Sequence, residues 1–262
     1  MRIYTYYENL DNNNFQDQEK LIELWKKSWS RKGFEPFVLN KSDADKCLQR
    51  NSFEENIKNT HVEITGKKIS KYGLSCYNRW FAYSKVDSSE PFYVSDYDVI
   101  NNNYHHDFDY NDNLFFLDGS CPCFAFGKNY DYERFILSVL EILNEYTERY
   151  KLLFEGNRWL RYLHDQEFLD LTFSERIRPK ENPDYFNELA KPLKEKYLIH
   201  MTRNRPSICG PIYRDSDLNN KIIHFSHDSV NKFKSDKEIF KSMNCDQVRF
   251  KLISDLISND QQ

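Results

Sequence analysis

The first forty residues alternate between short apolar runs and one amphipathic segment. Residues 2–7 form an apolar and aromatic run that predicts a strand. Apolar residues recur at helical spacing over 16–30, and this predicts a helix that ends before Gly33. Residues 34–40 predict the next strand. Because a strand, a helix and a second strand follow one another with short links, the pattern predicts a βαβ unit and a parallel sheet.

A second block combines an apolar helix face with a buried strand. Residues 42–66 are polar and poorly periodic, and no element is predicted there. Residues 71–83 carry apolar side chains on one face and predict a helix packed on the sheet. The apolar run at 91–94 predicts a strand, which is followed by Asp96-Tyr97-Asp98 before the apolar pattern resumes.

The rest of the chain contains further strands and helices. A polar insert at 101–113 predicts a loop, and the segment from 179 to 192 contains prolines and predicts a linker. Ser235 to Glu238 has the spacing of a capping box and predicts the start of a C-terminal helical region. The remaining predicted elements are strands at 114–118, 123–126, 196–200 and 221–226, a long helix at 131–153, and a helical stretch from 159.

Composition limits the classes of protein that the chain can belong to. The 262 residues are 39% hydrophobic, which is enough for one generous domain with a real core. The net charge is −4 with both signs interspersed, and this does not favour nucleic-acid binding. No secretory signal or stretch of about 20 apolar residues is present, so we expect a soluble, cytoplasmic protein without a membrane span.

The chemistry that stands out first is the Asp96-Tyr97-Asp98 triplet. Alternation along an extended chain points Asp96 and Asp98 to the same side. Two carboxylates at the end of a buried strand repel each other and lose water, and a divalent cation removes both penalties. Hard carboxylate oxygens suit Mg²⁺ or Mn²⁺. The alternative interpretation is an ordinary polar loop after a strand.

Other polar residues admit two interpretations each. Asp165 precedes an apolar helical pattern and is either a helix N-cap or a carboxylate presented to a pocket. His200 and His224 each end a short apolar strand, where a histidine is either structural or a ligand. His105 and His106 fall in the polar insert and are interpreted as exposed.

The six cysteines are interpreted as reduced thiols that mostly fill the core. Cys121-Pro122-Cys123 alone is a poor zinc signal, because it lacks the spacing of known zinc motifs.

The order of these segments resembles the glycosyltransferases of the GT-A fold, which use nucleotide sugars. The block from Lys71 to Ile100 is similar to that family's basic helix followed by a strand ending in Asp-x-Asp. Asp165-Gln166 is similar to the family's acidic residue near the acceptor. Ile223-His224-Phe225 with Lys232 is similar to the His-Phe and downstream Lys of glycogenin-like and lipopolysaccharide galactosyltransferase members, although His227 replaces the usual glycine.

The resemblance implies an α/β, GT-A (Rossmann-like) fold with a mixed, mainly parallel sheet and flanking helices. It implies a single domain over 1–262, in which 1–100 bind the nucleotide, 101–234 form the acceptor side and 235–262 form a C-terminal helical region. It also implies a nucleotide-sugar donor, by default a UDP-sugar, a hydroxyl-bearing acceptor such as a glycan, and Mn²⁺ or Mg²⁺ as cofactor.

The resemblance also assigns roles to residues. Asp98 would hold the cation with His224 or His200, and Asp96 would assist it or bind the donor. Asp165 would be a general base if the reaction inverts the anomeric centre, and Asp165 or Gln166 would position the sugar if it is retained. The donor-binding residues implied are Tyr6, Tyr7, Lys71, Arg79 and Asp96.

Two other functions fit an Asp-x-Asp motif. One is a metal-dependent phosphohydrolase or phosphotransferase, although its motif usually follows the first strand. The other is a non-catalytic glycan-binding module.

Overall fold

The computed structural model describes residues 1–10, 15–106, 109–118, 121–156, 162–173, 191–192, 194–196, 199–201 and 209–259. Its main feature is a six-stranded sheet with the order β2-β1-β3-β6-β5-β7. The strands are β1 (Arg2–Tyr6), β2 (Glu35–Leu39), β3 (Phe92–Ser95), β5 (Leu114–Asp118), β6 (Cys121–Gly127) and β7 (Ile199–Met201).

The first half of this sheet is parallel and the second half is mixed. β1 lies parallel to both β2 and β3, and α1 (Phe15–Ser30) connects β1 to β2. The predicted βαβ unit is therefore confirmed. β6 runs antiparallel to β3 and β5, and β5 is parallel to β7. The fold class is mixed α/β, as the sequence predicts.

A second, three-stranded sheet contains β4 (Val99–Asn101), β8 (Cys209–Pro211) and β9 (Ile222–His224) in the order β4-β9-β8. β4 is antiparallel to β9, and Val99 pairs with His224. β3 and β4 are separated only by Asp96, Tyr97 and Asp98. The triplet is therefore the connection through which the chain passes from one sheet to the other.

Alternating strand residues face two separate parts of the core. Tyr4 and Tyr6 of β1 pack in one hydrophobic cluster, while Ile3 packs in the other. The first cluster lies under α3 (Gln49–Thr65), α4 (Lys71–Ser84) and α5 (Asn129–Glu145), and the second lies under α1 and the C-terminal helices. Helices thus cover both faces of the larger sheet, which keeps its apolar strands out of water.

Residues 42–66, where no element is predicted, are largely helical. They form α2 (Lys41–Ala44) and α3. The buried positions of α3 do follow helical spacing, but Arg50, Thr60 and His61 occupy several of them. Because polar residues stand on the buried face, the apolar periodicity that identifies an amphipathic helix is weak here.

Two other predicted boundaries are wrong. The long helix predicted at 131–153 is two helices, α5 and α6 (Thr147–Gly156), which meet at Tyr146 in a non-helical backbone conformation (φ −114°, ψ 28°). α7 (Asp165–Phe173) follows.

The capping box predicted at Ser235 to Glu238 does not form either. Ser235 is the last residue of α8 (His227–Ser235). The final helix, α9 (Cys245–Asn259), is instead capped by Asn244 and Gln247, whose side chains each accept a hydrogen bond from the other's backbone N–H.

Several predictions fall partly or wholly outside the described residues. They are the linker at 179–192, the start of the helical stretch from 159, and the strand at 196–200, of which residues 197 and 198 are not described. In the described part of the chain, no helix combines the length and the apolar character that crossing a bilayer requires.

Candidate active site

A cleft opens at the carboxyl ends of β1 and β3, where ligands bind in open α/β sheets. Its volume is about 180 Å³, and its lining includes Tyr6, Tyr7, Arg79, Asp96 and Asp98. A neighbouring cavity of about 480 Å³ shares Tyr7 with it and is also lined by Lys71, Asn40 and Lys41. Most of the residues that the sequence singles out therefore border one continuous region of the surface.

Backbone hydrogen bonds fix the position of the Asp96-Tyr97-Asp98 connection. The Asp96 N–H donates to the Cys123 carbonyl oxygen at 2.9 Å, and the Val99 N–H donates to the Asp96 carbonyl at 3.0 Å. The Phe225 N–H donates to the Asp98 carbonyl at 2.9 Å. The connection is thus held from both sides, by β6 of the larger sheet and by the chain that follows β9.

This arrangement brings His224 to the two aspartates. His224 Nε2 lies 3.6 Å from Asp98 Oδ1, and the potential ligand atoms of Asp96, Asp98 and His224 lie within 4.8 Å of one another. Two carboxylates and an imidazole form a donor set that fits Mn²⁺ or Mg²⁺, because hard oxygen ligands dominate it. The three residues therefore suit a divalent cation at the edge of the cleft.

Arg79 joins Asp96 to Asp165. Its Nη1 lies 2.5 Å from Asp96 Oδ1, and its Nη2 lies 2.5 Å from Asp165 Oδ2. Nε donates to the same Asp165 oxygen at 2.9 Å, and the Trp80 indole N–H donates to it at 2.7 Å. The planar guanidinium can serve both carboxylates at once because its donors project in a fixed fork.

Asp165 is fully buried, and it does not cap a helix. It is the first residue of α7, and its side chain points inward to Arg79. The N-cap interpretation of Asp165 is therefore wrong, and the carboxylate interpretation describes its environment better. Burial acts to raise the pKa of Asp165, but Arg79, His164 and Trp80 stabilise the charged form and leave its pKa lowered.

The opposite balance holds at Asp96. Partial burial raises the pKa of its carboxyl group, Arg79 opposes this without cancelling it, and the nearby charge of Asp98 raises the pKa further. A carboxylate that is disfavoured by its surroundings in this way gains from a cation. This is the electrostatic situation that the sequence argument predicts for two aspartates at the end of a buried strand.

Arg249 is a member of the site that sequence reasoning missed. Its Nη2 lies 3.5 Å from Asp98 Oδ2, and its Nη1 lies 3.3 Å from Asp246 Oδ1. Arg249 belongs to α9, which packs against α8 and α1. No local pattern distinguishes it from other charged helix residues, so only the tertiary packing of α9 reveals the contact.

The remaining predicted residues differ in where they lie. Gln166 is exposed at the start of α7. The Tyr6 hydroxyl donates to Glu8 Oε2 at 2.8 Å, and the Tyr7 ring meets the Tyr97 ring edge-on with centroids 6.0 Å apart. Lys71 is exposed at the rim of the second cavity.

His200 belongs to β7, at the far edge of the larger sheet. Its backbone pairs with Phe115, which pairs with Phe126, which in turn pairs with Tyr93 of β3. Three strand spacings separate His200 from β3, or about 14 Å. Its side chain lies outside the described part of the molecule. The backbone geometry favours His224 over His200 as the partner of Asp98.

Three tryptophans donate hydrogen bonds from their indole N–H groups to residues in or next to the site. Trp25 donates to Ser95 Oγ at 2.9 Å, and Trp29 donates to the Val99 carbonyl at 3.1 Å. Trp80 donates to Asp165, as described above. All three are fully buried. The strands on either side of the aspartates are therefore tied into the core through these rings.

Comparison with known proteins gives similarity at the level of the chain path alone. No protein-family model matches the sequence, and no curated protein matches it significantly. A crystal structure of the glycosyltransferase GlyE from Streptococcus pneumoniae TIGR4 superposes with a TM-score of 0.42 at 12% identity, covering 98% of this chain and 63% of that chain. The apo-form of GlyE gives a TM-score of 0.41 at 13% identity, with 99% and 62% covered.

The chain thus spans less than two thirds of the length of these two structures. At this identity and TM-score, the similarity does not identify the family or the activity of this chain. The function has to be inferred from the geometry of the cleft.

Proposed function

We propose that the protein is a metal-dependent glycosyltransferase that moves a sugar from a nucleotide-diphosphate donor, by default a UDP-sugar, to a hydroxyl group of a glycan or other acceptor. The observation that supports this most directly is the grouping of Asp96, Asp98 and His224 beside a cleft at the carboxyl ends of parallel strands. An Asp-x-Asp motif in this position suits a cation that meets a diphosphate.

Asp98 and His224 would hold the cation, with Asp96 beside them. A bound Mn²⁺ or Mg²⁺ would supply Lewis-acid stabilisation of the charge that develops on the leaving diphosphate. Arg249, at 3.5 Å from Asp98, adds a fixed positive charge on the other side of that carboxylate and orients it.

Arg79 and Asp165 would act together in this proposal. Asp165 has no solvent exposure and a lowered pKa, so it is a weak proton acceptor for an acceptor hydroxyl. This favours the positioning role over the general-base role. Asp165 would orient Arg79, and Arg79 would orient Asp96 and offer charge-assisted hydrogen bonds to the donor. Gln166 remains a prediction for the acceptor side.

The donor would lie across the two adjoining cavities. Tyr6 and Tyr7 border the cleft and offer aromatic surface to a nucleobase, while Lys71 offers a positive charge at the rim of the second cavity. The combined region extends from the aspartates to the end of β2, where Asn40 and Lys41 lie.

A thermal-shift assay with nucleotide diphosphates, with and without Mn²⁺, tests the proposal. We expect UDP or another nucleoside diphosphate to stabilise the protein only when Mn²⁺ is present, by about 2.7 kcal/mol at a ligand concentration 100 times Kd. Asp98→Asn should abolish this stabilisation and lower turnover of the donor by roughly 100-fold or more.

Asp255→Asn is the matched control, because Asp255 is an exposed aspartate of α9 and should leave both measurements unchanged. Equal turnover by wild type and Asp98→Asn would remove Asp98 from the site. Release of inorganic phosphate from simple monoesters would instead favour the phosphohydrolase. Metal-independent binding of glycans, without turnover, would favour the glycan-binding module.

A further inference from the structure

Two cysteines lie near His224, in addition to the two cleft aspartates. Cys121 and Cys123 begin β6, and residues two apart in a strand project to the same face. The potential ligand atoms of Cys121, Cys123 and His224 lie within 4.8 Å of one another.

The same backbone contacts that build the cleft produce this grouping. The Cys123 carbonyl accepts the hydrogen bond from the Asp96 N–H, so the start of β6 is fixed against the Asp-x-Asp connection. The pairing of Val99 with His224 brings β9 to the same place. Cys121 and Cys123 are far from His224 in the sequence. The imidazole comes close to them because β9 of the second sheet lies against the start of β6.

We propose that Cys121, Cys123 and His224 form a second metal site, selective for thiophilic divalent cations such as Zn²⁺. Two thiolates and an imidazole are a donor set that zinc prefers, and a three-ligand set leaves a fourth tetrahedral position for water or a nearby carboxylate. Asp98 Oδ1, at 3.6 Å from His224 Nε2, is a carboxylate oxygen beside this donor set. On binding, the two thiols lose their protons to solvent and the metal takes their place.

Burial suits such a site. Cys123 is fully buried and Cys121 is partly exposed, while the His224 side chain is 12% exposed. A metal can therefore reach the site past Cys121 and is then held by ligands that are fixed in a strand and a strand end.

The two metal sites share His224, and this has a consequence that rests on the proposed function. His224 contributes to both donor sets, and two cations held by one imidazole ring repel each other. Zn²⁺ on the thiolates should therefore weaken Mn²⁺ binding by Asp96 and Asp98. The cysteine site would therefore be an inhibitory zinc site that controls binding of Mn²⁺ at the aspartates.

Titration of the reduced protein with Co²⁺, a spectroscopic substitute for Zn²⁺, tests the second site directly. We expect one Co²⁺ per chain with intense thiolate-to-cobalt charge-transfer absorption that Zn²⁺ displaces. Cys121→Ser and Cys123→Ser should each lose this absorption and weaken Co²⁺ binding by at least the roughly 10- to 100-fold that loss of an outer-shell partner costs. Cys47→Ser is the matched control, because Cys47 is a buried cysteine whose thiol contacts Gln49 and Glu133 instead.

Asp96→Asn separates this proposal from the proposed function. It should keep the cobalt–thiolate absorption while it loses the Mn²⁺-dependent stabilisation by nucleotide, and Cys121→Ser should do the reverse. A measurement without variants adds a second test, since Zn²⁺ should slow alkylation of Cys121 in the wild type by about tenfold or more. Absence of charge-transfer absorption in the wild type, its persistence in both cysteine variants, or equal alkylation of Cys121 with and without Zn²⁺ would overturn the second site.

Discussion

Arg79 connects two carboxylates that differ in almost every respect. Asp165 is fully buried with a lowered pKa, whereas the Asp96 side chain is 33% exposed and has a raised pKa. The Arg79 side chain is itself 11% exposed and packs over the Trp80 ring, with 5.4 Å between the guanidinium carbon and the ring centroid. A flat, multiply donating cation suits this geometry, because Nε and Nη2 donate to Asp165 while Nη1 donates to Asp96.

Arg79→Lys should therefore destabilise the protein although it keeps the charge. Lysine leaves at least one acceptor of the buried Asp165 without its partner, and we expect the free energy of unfolding to fall by about 1–3 kcal/mol. Urea denaturation measures this. Arg134→Lys is the control, because Arg134 is 34% exposed and lies 3.9 Å from Asp131, so its unfolding free energy should change little. Equal losses of unfolding free energy for the two substitutions would contradict the role of the Arg79 guanidinium.

His164 gives the molecule a dependence on pH. Burial acts to lower the pKa of its imidazole, but Asp165 and Glu167 outweigh burial and raise it to about 9. Nδ1 lies 2.8 Å from Glu167 Oε2 and 3.4 Å from Asp165 Oδ1. The groups that face it from other elements are the Tyr72 ring, met edge-on, the Cys76 thiol and His61, whose pKa is lowered.

A raised pKa in the folded state fixes the sign of this dependence. The stabilisation is fully present below the unfolded pKa of histidine, about 6.5, and is lost as pH rises through about 9. We expect the difference in unfolding free energy between wild type and His164→Asn to shrink across that interval. Denaturation at a series of pH values measures it. A difference that stays constant from pH 6 to pH 10 would show that His164 is neutral in the folded protein.

At the scale of elements, α4 is the helix that positions Arg79. Ser70 caps its first turn, with Oγ accepting a hydrogen bond from the Gly73 N–H at 3.0 Å. The apolar face of α4 follows from the sequence, because large aromatic residues, Tyr77, Trp80, Phe81 and Tyr83, recur among its buried positions. The buried face of α3 cannot be identified from the sequence, because Arg50, Thr60 and His61 interrupt its apolar residues. Pattern identifies elements only where the chemistry of the buried face is uniform.

Loss of the α4 cap should cost measurable stability. Ser70→Ala leaves the Gly73 N–H without its acceptor, and we expect the free energy of unfolding to fall by about 1 kcal/mol. Ser254→Ala is the control, since Ser254 is exposed in the interior of α9, where alanine is neutral or slightly favourable. Chemical denaturation compares the two, and an equal or smaller loss for Ser70→Ala would show that its cap is dispensable.

At the scale of the whole molecule, the C-terminal helices belong to the same core as the first βαβ unit. Ile253 and Ile257 of α9 pack in the cluster that contains Trp25, Trp29 and Tyr93. Arg31 at the end of α1 donates to the Leu256 carbonyl at 3.3 Å and to the Asn101 carbonyl at 3.2 Å. The beginning, middle and end of the chain thus meet around the second sheet.

Damage to α9 should therefore be felt throughout the molecule. Ile253 is fully buried, and Ile253→Ala should lower the free energy of unfolding by about 2–5 kcal/mol. In a denaturation experiment, the unfolding transitions followed by far-ultraviolet circular dichroism and by tryptophan emission should coincide. Ile239→Ala is the matched control, because Ile239 is 72% exposed and should have a small effect. Separate transitions for the two signals would indicate that α9 folds as an independent unit.

This scale also limits what the sequence can reveal about the site. Asp96 and Asp98 are two residues apart and follow a buried strand, so local pattern predicts their common direction. His224 joins them only through the pairing of β4 with β9, and Arg249 joins Asp98 only through the packing of α9. The proposed metal-binding role of the cysteines at the start of β6 has the same origin, because only the fold places an imidazole beside them.

The indole hydrogen bonds to Ser95, Val99 and Asp165 make tryptophan fluorescence an intrinsic probe of the cleft. Indole emission responds to nearby charge and to the hydrogen-bond partner of the ring. Trp25 and Trp29 donate to the residues that flank the two aspartates of the cleft, and Trp80 donates to Asp165. Occupancy of the cleft by a cation should therefore be readable as a change in quantum yield, without any dye or label. A single-tryptophan series could then resolve which wall of the cleft responds first.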